Sequence, residues 1–239
     1  MPRRMGKEDV SRLNEWFVPK FGPVQFRIAI GILFLPYTAM CISFVLLGSL
    51  LSPSVHWDRI VAIIVIYFFA LGIGAHFADN IGSRKRPWGR EFSTHISWII
   101  LASSLSVAYS IGIYYIIHFV PLLAVVAVAE GFFLFAYNFE KFQGRFHTNF
   151  WFAIAWGSLP VLAGYMMQIN TISLESILVA TVAGFISYFE ISLSRPYKVL
   201  KSSNGQCASI HTLERYLKII SLGTLTTSML ALAFRTVLG

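Results

Sequence analysis

The chain has 239 residues, 56% hydrophobic and 13% charged, with a formal net charge of +8 and a mean hydropathy of +0.67. A soluble domain carries roughly a quarter charged residues, so this balance excludes an ordinary water-soluble fold and predicts an all-α, polytopic transmembrane bundle. Nucleic acid is not an expected partner despite the pI of about 9.7, because membrane topology accounts for the basic residues.

Residues 1–25 read as a cytoplasmic or interfacial segment. Val10, Leu13, Trp16, Phe17 and Val18 interleave with charges at roughly helical spacing. This start is polar and basic, so no cleavable signal peptide is expected. Residues 26–239 read as one helical membrane domain. A first span is predicted from about Phe26 to Leu51, and a turn at Ser52, Pro53 and Ser54 leads to a second from about Arg59 to Asp79. Ser93 or Thr94 can cap a third, continuing to about Tyr115. A break near His118 and Pro121 precedes a fourth, ending near Tyr137 to Lys141. The fifth covers about Asn149 to Met167, interrupted by Gly157 and Pro160, and the sixth about Ser173 to Leu193. SRPYKVLKSSNGQCASIH reads as a polar connector to a seventh span from about Glu214. Cys41 in an apolar run and Cys207 in that connector predict no disulfide.

With the amino terminus in the cytoplasm, all of the 19 Lys and Arg except Arg59 and Arg235 fall in cytoplasmic segments. That is the expected positive-inside bias, and about seven spans then put the carboxyl terminus on the opposite side. Three cytoplasmic helix ends are chemically rich. The stretch ALGIGAHFADNIGSRKRPWGR carries His76 and Asp79, then Arg84, Lys85, Arg86 and Arg90. Glu140 and Lys141 follow the fourth span, and Tyr188 and Glu190 close the sixth. A basic rim with embedded carboxylates suits a divalent metal and a diphosphate together.

Tyr137 and Lys141 project within roughly 20° of Glu130 on a helix, in a stripe about 16 Å long. An ionisable group at the depth of Glu130 costs roughly 2.5–3.5 kcal/mol to insert, so it faces a cavity or a partner. The expectation is a polar wall in a cavity opening at the cytoplasmic face; a hydrogen-bonded Glu130 tying two helices together is the plainer alternative.

The order of these segments resembles the UbiA superfamily of intramembrane prenyltransferases. In that family the second helix ends in N-D-x-x-D-x-x-x-D with a following R-P, the fourth in Y-x-x-x-K, and the sixth in D-x-x-x-D. The corresponding segments here are AHFADNIGS with RKRPW, YNFEK and EISLS, and YNFEKFQGRFHTNFWFAIAWGSLPVLAGYMMQ is similar to the family's helix 4–5 junction. The resemblance covers about residues 26–200; the family usually has nine spans, against seven read here. It implies a polyprenyl diphosphate held at the cytoplasmic face on Mg²⁺, with membrane isoprenoid as substrate. By that resemblance Asp79 and Glu190 are the metal-facing acids, and Arg84, Lys85, Arg86 and Lys141 contact diphosphate. Tyr137 lines the reaction chamber with Lys141 beside it, and Glu130, His76 and Tyr188 belong to the cavity. The chain departs from the family at Ala75, His76, Ser83 and Ser194, where Asn and Asp are the rule. Two readings therefore stand beside prenyl transfer: a degenerate relative that binds an isoprenoid, quinone or pigment lipid or serves as a membrane subunit, and a small transporter.

Overall fold

The computed structural model describes residues 13–33, 35–82, 92–203 and 207–238. All regular structure among them is helical. Six helices are long and apolar enough to cross a membrane: α1 Val24–Leu50, α2 Trp57–Gly82, α3 Thr94–His118, α5 Asn149–Ile169, α6 Leu174–Ser202, and α7, which begins at Cys207 and runs to Leu238. Between α3 and α5 lies α4, Leu123–Asn138, apolar but only 16 residues long. At 1.5 Å per residue it covers about 24 Å, a little short of the hydrocarbon thickness. The expectation of about seven spans thus resolves into six full-length candidates and one short helix.

Local chemistry sets the helix ends. The Ser93 hydroxyl accepts from the Ile96 amide at 3.2 Å to start α3, and Thr148 does the same for Trp151 at the start of α5. Ser173 and Ser176 form a reciprocal capping box at the start of α6. Asn170, in the left-handed region at φ 51°, ends α5, and its side chain accepts from the Leu122 amide at 2.8 Å. Two helices contain a π segment: Phe68–Gly74 in α2 and Ile154–Ser158 in α5, the second beside the expected interruption at Gly157 and Pro160.

The turns sort into two ends of the bundle. At one end Arg59 donates to the Gln168 carbonyl at 2.8 Å, Tyr115 reaches Asp58 at 3.4 Å, and Arg235 donates to the carbonyls of Ser52 and Pro53. At the other, Lys201 pairs with Glu15, Arg27 binds the Leu13 and Pro19 carbonyls, and Arg195 bridges Tyr137 and His147. Seven successive helices therefore run back and forth between two ends, and the described Lys and Arg crowd one of them. Between the ends, large apolar side chains face outward: Val61 is 62% exposed, Val128 73%, Phe185 61% and Leu230 65%. An apolar belt of this kind needs lipid, not water, as its solvent.

Small residues set the closest approach. A Cβ at Gly48 would strike the Val161 carbonyl, and one at Gly164 would strike the Val45 carbonyl, so α1 and α5 pack backbone to backbone. Ser49 donates to the Gly164 carbonyl at 3.1 Å across this contact.

Two expectations are corrected. The stretch read as a polar connector is helical on both sides of residues 204–206: α6 passes through Pro196 to Ser202, and α7 begins at Cys207. Its polar residues form a stripe, because Glu190, Ser194, Tyr197 and Lys201 fall on one helical face that packs against protein. The amino-terminal segment is not helical over Leu13–Pro23 but turns, where Pro19, Gly22 and Pro23 interrupt the pattern; it still caps the bundle, with Leu13 and Val18 buried. Val10, Arg84, Lys85, Arg86, Trp88 and Arg90 lie outside the described residues.

Candidate functional site

Tyr137, in the last turn of α4, is the point on which the basic end converges. Its ring stacks on His147 at 4.4 Å and packs against Trp156 and Phe152, with centroids at 5.0 and 5.8 Å. Its hydroxyl accepts from Arg195 Nη2 at 3.4 Å, and the same guanidinium nitrogen reaches the His147 carbonyl at 3.3 Å. Asp79 of α2 and Glu190 of α6 lie in the same neighbourhood. The ends of α2, α4 and α6 thus meet, but around packed rings rather than the open cytoplasmic cavity expected. The α2–α4 contact is close because a Cβ at Gly82 would run into the Asn138 carbonyl. Aromatic rings fill the convergence: Phe152 stacks on Trp156 at 5.1 Å, and Tyr37 meets Phe152 edge-on at 5.7 Å.

Glu190 sits behind this aromatic group and is 2% exposed. It faces the Tyr37 hydroxyl, with Ser194 and Lys198 alongside, and its Oε2 has no hydrogen-bond partner among the described residues. The Lys198 ammonium lies 5.6 Å above the Tyr37 ring. The space beside Glu190 is about 30 Å³, roofed by Glu15, Trp16 and Phe17 of the amino-terminal segment.

That roof is fastened by a polar network. The Tyr197 hydroxyl lies 2.9 Å from Glu15 Oε2 and 3.2 Å from Glu214 Oε2, and accepts from Lys201 at 2.7 Å. Lys201 also pairs with Glu15 at 2.9 Å, and Lys218 pairs with Glu214 at 2.6 Å while lying 5.5 Å over the Trp16 ring. Lys20 donates to the Glu15 carbonyl; partial desolvation and the neighbouring Lys201 and Arg27 charges hold its ammonium below the usual lysine range.

The remaining expected residues scatter. His76 is half-buried on α2, one turn before Asp79. Lys141 is exposed, because α4 stops at Asn138 and the chain turns before the helical stripe reaches it. Tyr188 is 41% exposed on the outer face of α6, away from Glu190. Glu130 stands apart from the basic end: Tyr67 donates to its Oε1 at 2.9 Å, tying α2 to α4. The space beside it follows α4 from Leu134 back to Leu123, away from the basic end, so it is no wall of a cytoplasmic cavity.

Among the described residues, no three His, Cys, Asp or Glu side chains come together. Mg²⁺ favours carboxylate, phosphate and water oxygens in an octahedron. Asp79 brings a carboxylate of the right kind, but Glu190 is enclosed with Lys198 beside it, so the pair does not fit a shared metal–diphosphate cluster. Sequence reasoning missed Tyr37, Tyr67, His147, Arg195 and Glu15. Arg195 carried a readable signal, as a guanidinium five residues beyond Glu190 at the same helix end; Tyr67 carried none. No family model, no curated protein and no solved structure matches the chain.

Proposed function

We propose that this chain is a UbiA-like membrane protein that binds a polyprenyl diphosphate at its basic end, with the phosphates facing the cytoplasm and the prenyl chain along the lipid-exposed helices. The observation that carries this reading is the Arg195 guanidinium held between the Tyr137 hydroxyl and the His147 carbonyl where the ends of α2, α4 and α6 meet. Arg195 supplies a fixed guanidinium, and Lys141 with Arg84, Lys85 and Arg86 supplies the basic rim that a diphosphate needs. The positive-inside bias puts this end in the cytoplasm and the carboxyl terminus outside. Binding is favoured over transfer because Ser194 stands where the family's second acid does and aromatic rings fill the convergence, which leaves a developing diphosphate charge without its usual counterions.

The test is equilibrium binding of geranylgeranyl diphosphate, against geranylgeraniol, to the full chain in lipid nanodiscs. Saturable binding of the diphosphate, at least tenfold tighter than the alcohol and weakened about tenfold by Arg195→Ala or by joint Arg84, Lys85 and Arg86→Ala, supports the reading. EDTA is expected to change the affinity less than about twofold. Equal binding of the two lipids, or no saturable binding, overturns it. Pyrophosphate release in the presence of an aromatic acceptor would extend the same site to prenyl transfer.

A further inference from the structure

A second space, roomier than the one beside Glu190, lies between α2, α3 and α4. It has a volume of about 70 Å³ and follows α4 from Leu123 to Leu134, about 16 Å along the helix. Small residues open it: Ala70, Ala108, Gly112 and Ala127 stand where larger side chains would fill the gap. Its outer edge carries Tyr109 and Ile113, 38% and 51% exposed, so the slot opens sideways into the apolar belt rather than toward either end.

Its walls are apolar except at three side chains, and two of those have their polar atoms committed. Tyr67 donates to Glu130 Oε1 at 2.9 Å, and Tyr109 donates to the Ala127 carbonyl at 3.5 Å. Glu130 Oε2 is shielded from solvent and has no hydrogen-bond partner among the described residues. A buried oxygen left unpaired is costly, and in lipid there is no bulk water to repair it.

We propose that this slot is a binding site, entered from the bilayer, for a lipid-soluble alcohol or phenol whose hydroxyl pairs with Glu130 Oε2. A hydroxyl both donates and accepts, so it satisfies that oxygen whether or not Glu130 carries a proton. An ammonium would suit only the charged form, and would enter an apolar slot lined by no other acid at a desolvation cost that a hydroxyl does not carry. The volume admits the hydroxyl-bearing end of such a molecule, with the rest left in lipid between α3 and α4. The site is independent of the diphosphate reading, because its lining shares no residue with the basic end.

The test compares 4-octylphenol with octylbenzene, which differ by one hydroxyl, on the full chain in nanodiscs with empty nanodiscs subtracted. The phenol is expected to bind saturably and about tenfold tighter than octylbenzene. Glu130→Gln keeps a hydrogen-bonding side chain and retains most of that preference, whereas Glu130→Leu abolishes it. Gly112→Leu fills the slot and removes binding of both probes; a Cβ there meets only Ile66 Cδ1, at 3.9 Å, so the fold tolerates the start of a side chain. Arg195→Ala leaves phenol binding unchanged, which separates this site from the basic end. Equal binding of the two probes, a preference that survives Glu130→Leu, or no saturable phenol binding (the slot holding water alone) overturns the proposal.

Discussion

The protein buries two glutamates in very different company. Glu190, at the basic end, shares its surroundings with Tyr37, Ser194 and Lys198 under a roof held by ion pairs. Glu130, deep between α2 and α4, has one phenol and apolar walls. Each leaves its Oε2 without a hydrogen bond among the described residues. The difference teaches that burial alone does not assign a role. The Glu190 carboxyl is held among polar neighbours on several elements, whereas Glu130 is tied by one hydrogen bond between helices and keeps its second oxygen able to pair with a ligand.

The sharpest way to break that comparison is to replace each acid by leucine and follow thermal unfolding of the full chain in detergent. Glu190→Leu removes a buried carboxyl from beside the Tyr37 hydroxyl and the half-buried Lys198, and a loss of about 2 kcal/mol is expected. Glu130→Leu removes a polar group from an apolar setting and strands only the Tyr67 hydroxyl, so a change within about 1 kcal/mol is expected. Equal losses would mean that both acids are structural and that the contrast is illusory.

A more local effect probes the roof over Glu190. Tyr197→Phe removes the hydroxyl at the junction of Glu15, Glu214 and Lys201, and about 2 kcal/mol of the hold on the amino-terminal segment goes with it. The expected signature is faster protease cleavage between Leu13 and Pro23 with little change in the unfolding temperature of the helices. Unchanged cleavage would show that the buried Leu13 and Val18, rather than the polar network, hold the segment down.

How much of this was readable from the residues follows the physics of each element. The spanning helices were legible because lipid demands about 20 apolar residues in a row, and Ser93 was legible as a cap because its hydroxyl has a local task. The helical course of Ser194 to Ser202 was not, because its polarity looks like a loop until the amino-terminal segment is seen to cover the Glu190–Ser194–Tyr197–Lys201 face. Tyr137 could be placed at the basic end by helical phase, whereas Lys141 could not, because the phase ends with the helix at Asn138. Glu130 was conspicuous as an expensive ionisable group, yet its partner was hidden. Tyr67 lies 63 positions away on another helix, next to a π segment that resets the phase of everything after it.

The smallest effect isolates that hidden contact. Tyr67→Phe removes only the hydroxyl that donates to Glu130 Oε1, leaving both carboxyl oxygens without a protein partner, and about 1 kcal/mol is the expected loss. Combining it with Glu130→Leu should recover most of that loss, since a phenyl ring against a leucine leaves nothing polar unpaired, and the coupling in the double-mutant cycle should lie near 1 kcal/mol. Saturating 4-octylphenol sharpens the same cycle. A hydroxyl ligand on Oε2 should stabilise Tyr67→Phe as it does the natural protein, because it engages the other oxygen, and should leave Glu130→Leu unaffected. If Tyr67→Phe alone abolished the ligand's stabilisation, the phenol of Tyr67 rather than the Glu130 carboxyl would be the group that meets the ligand.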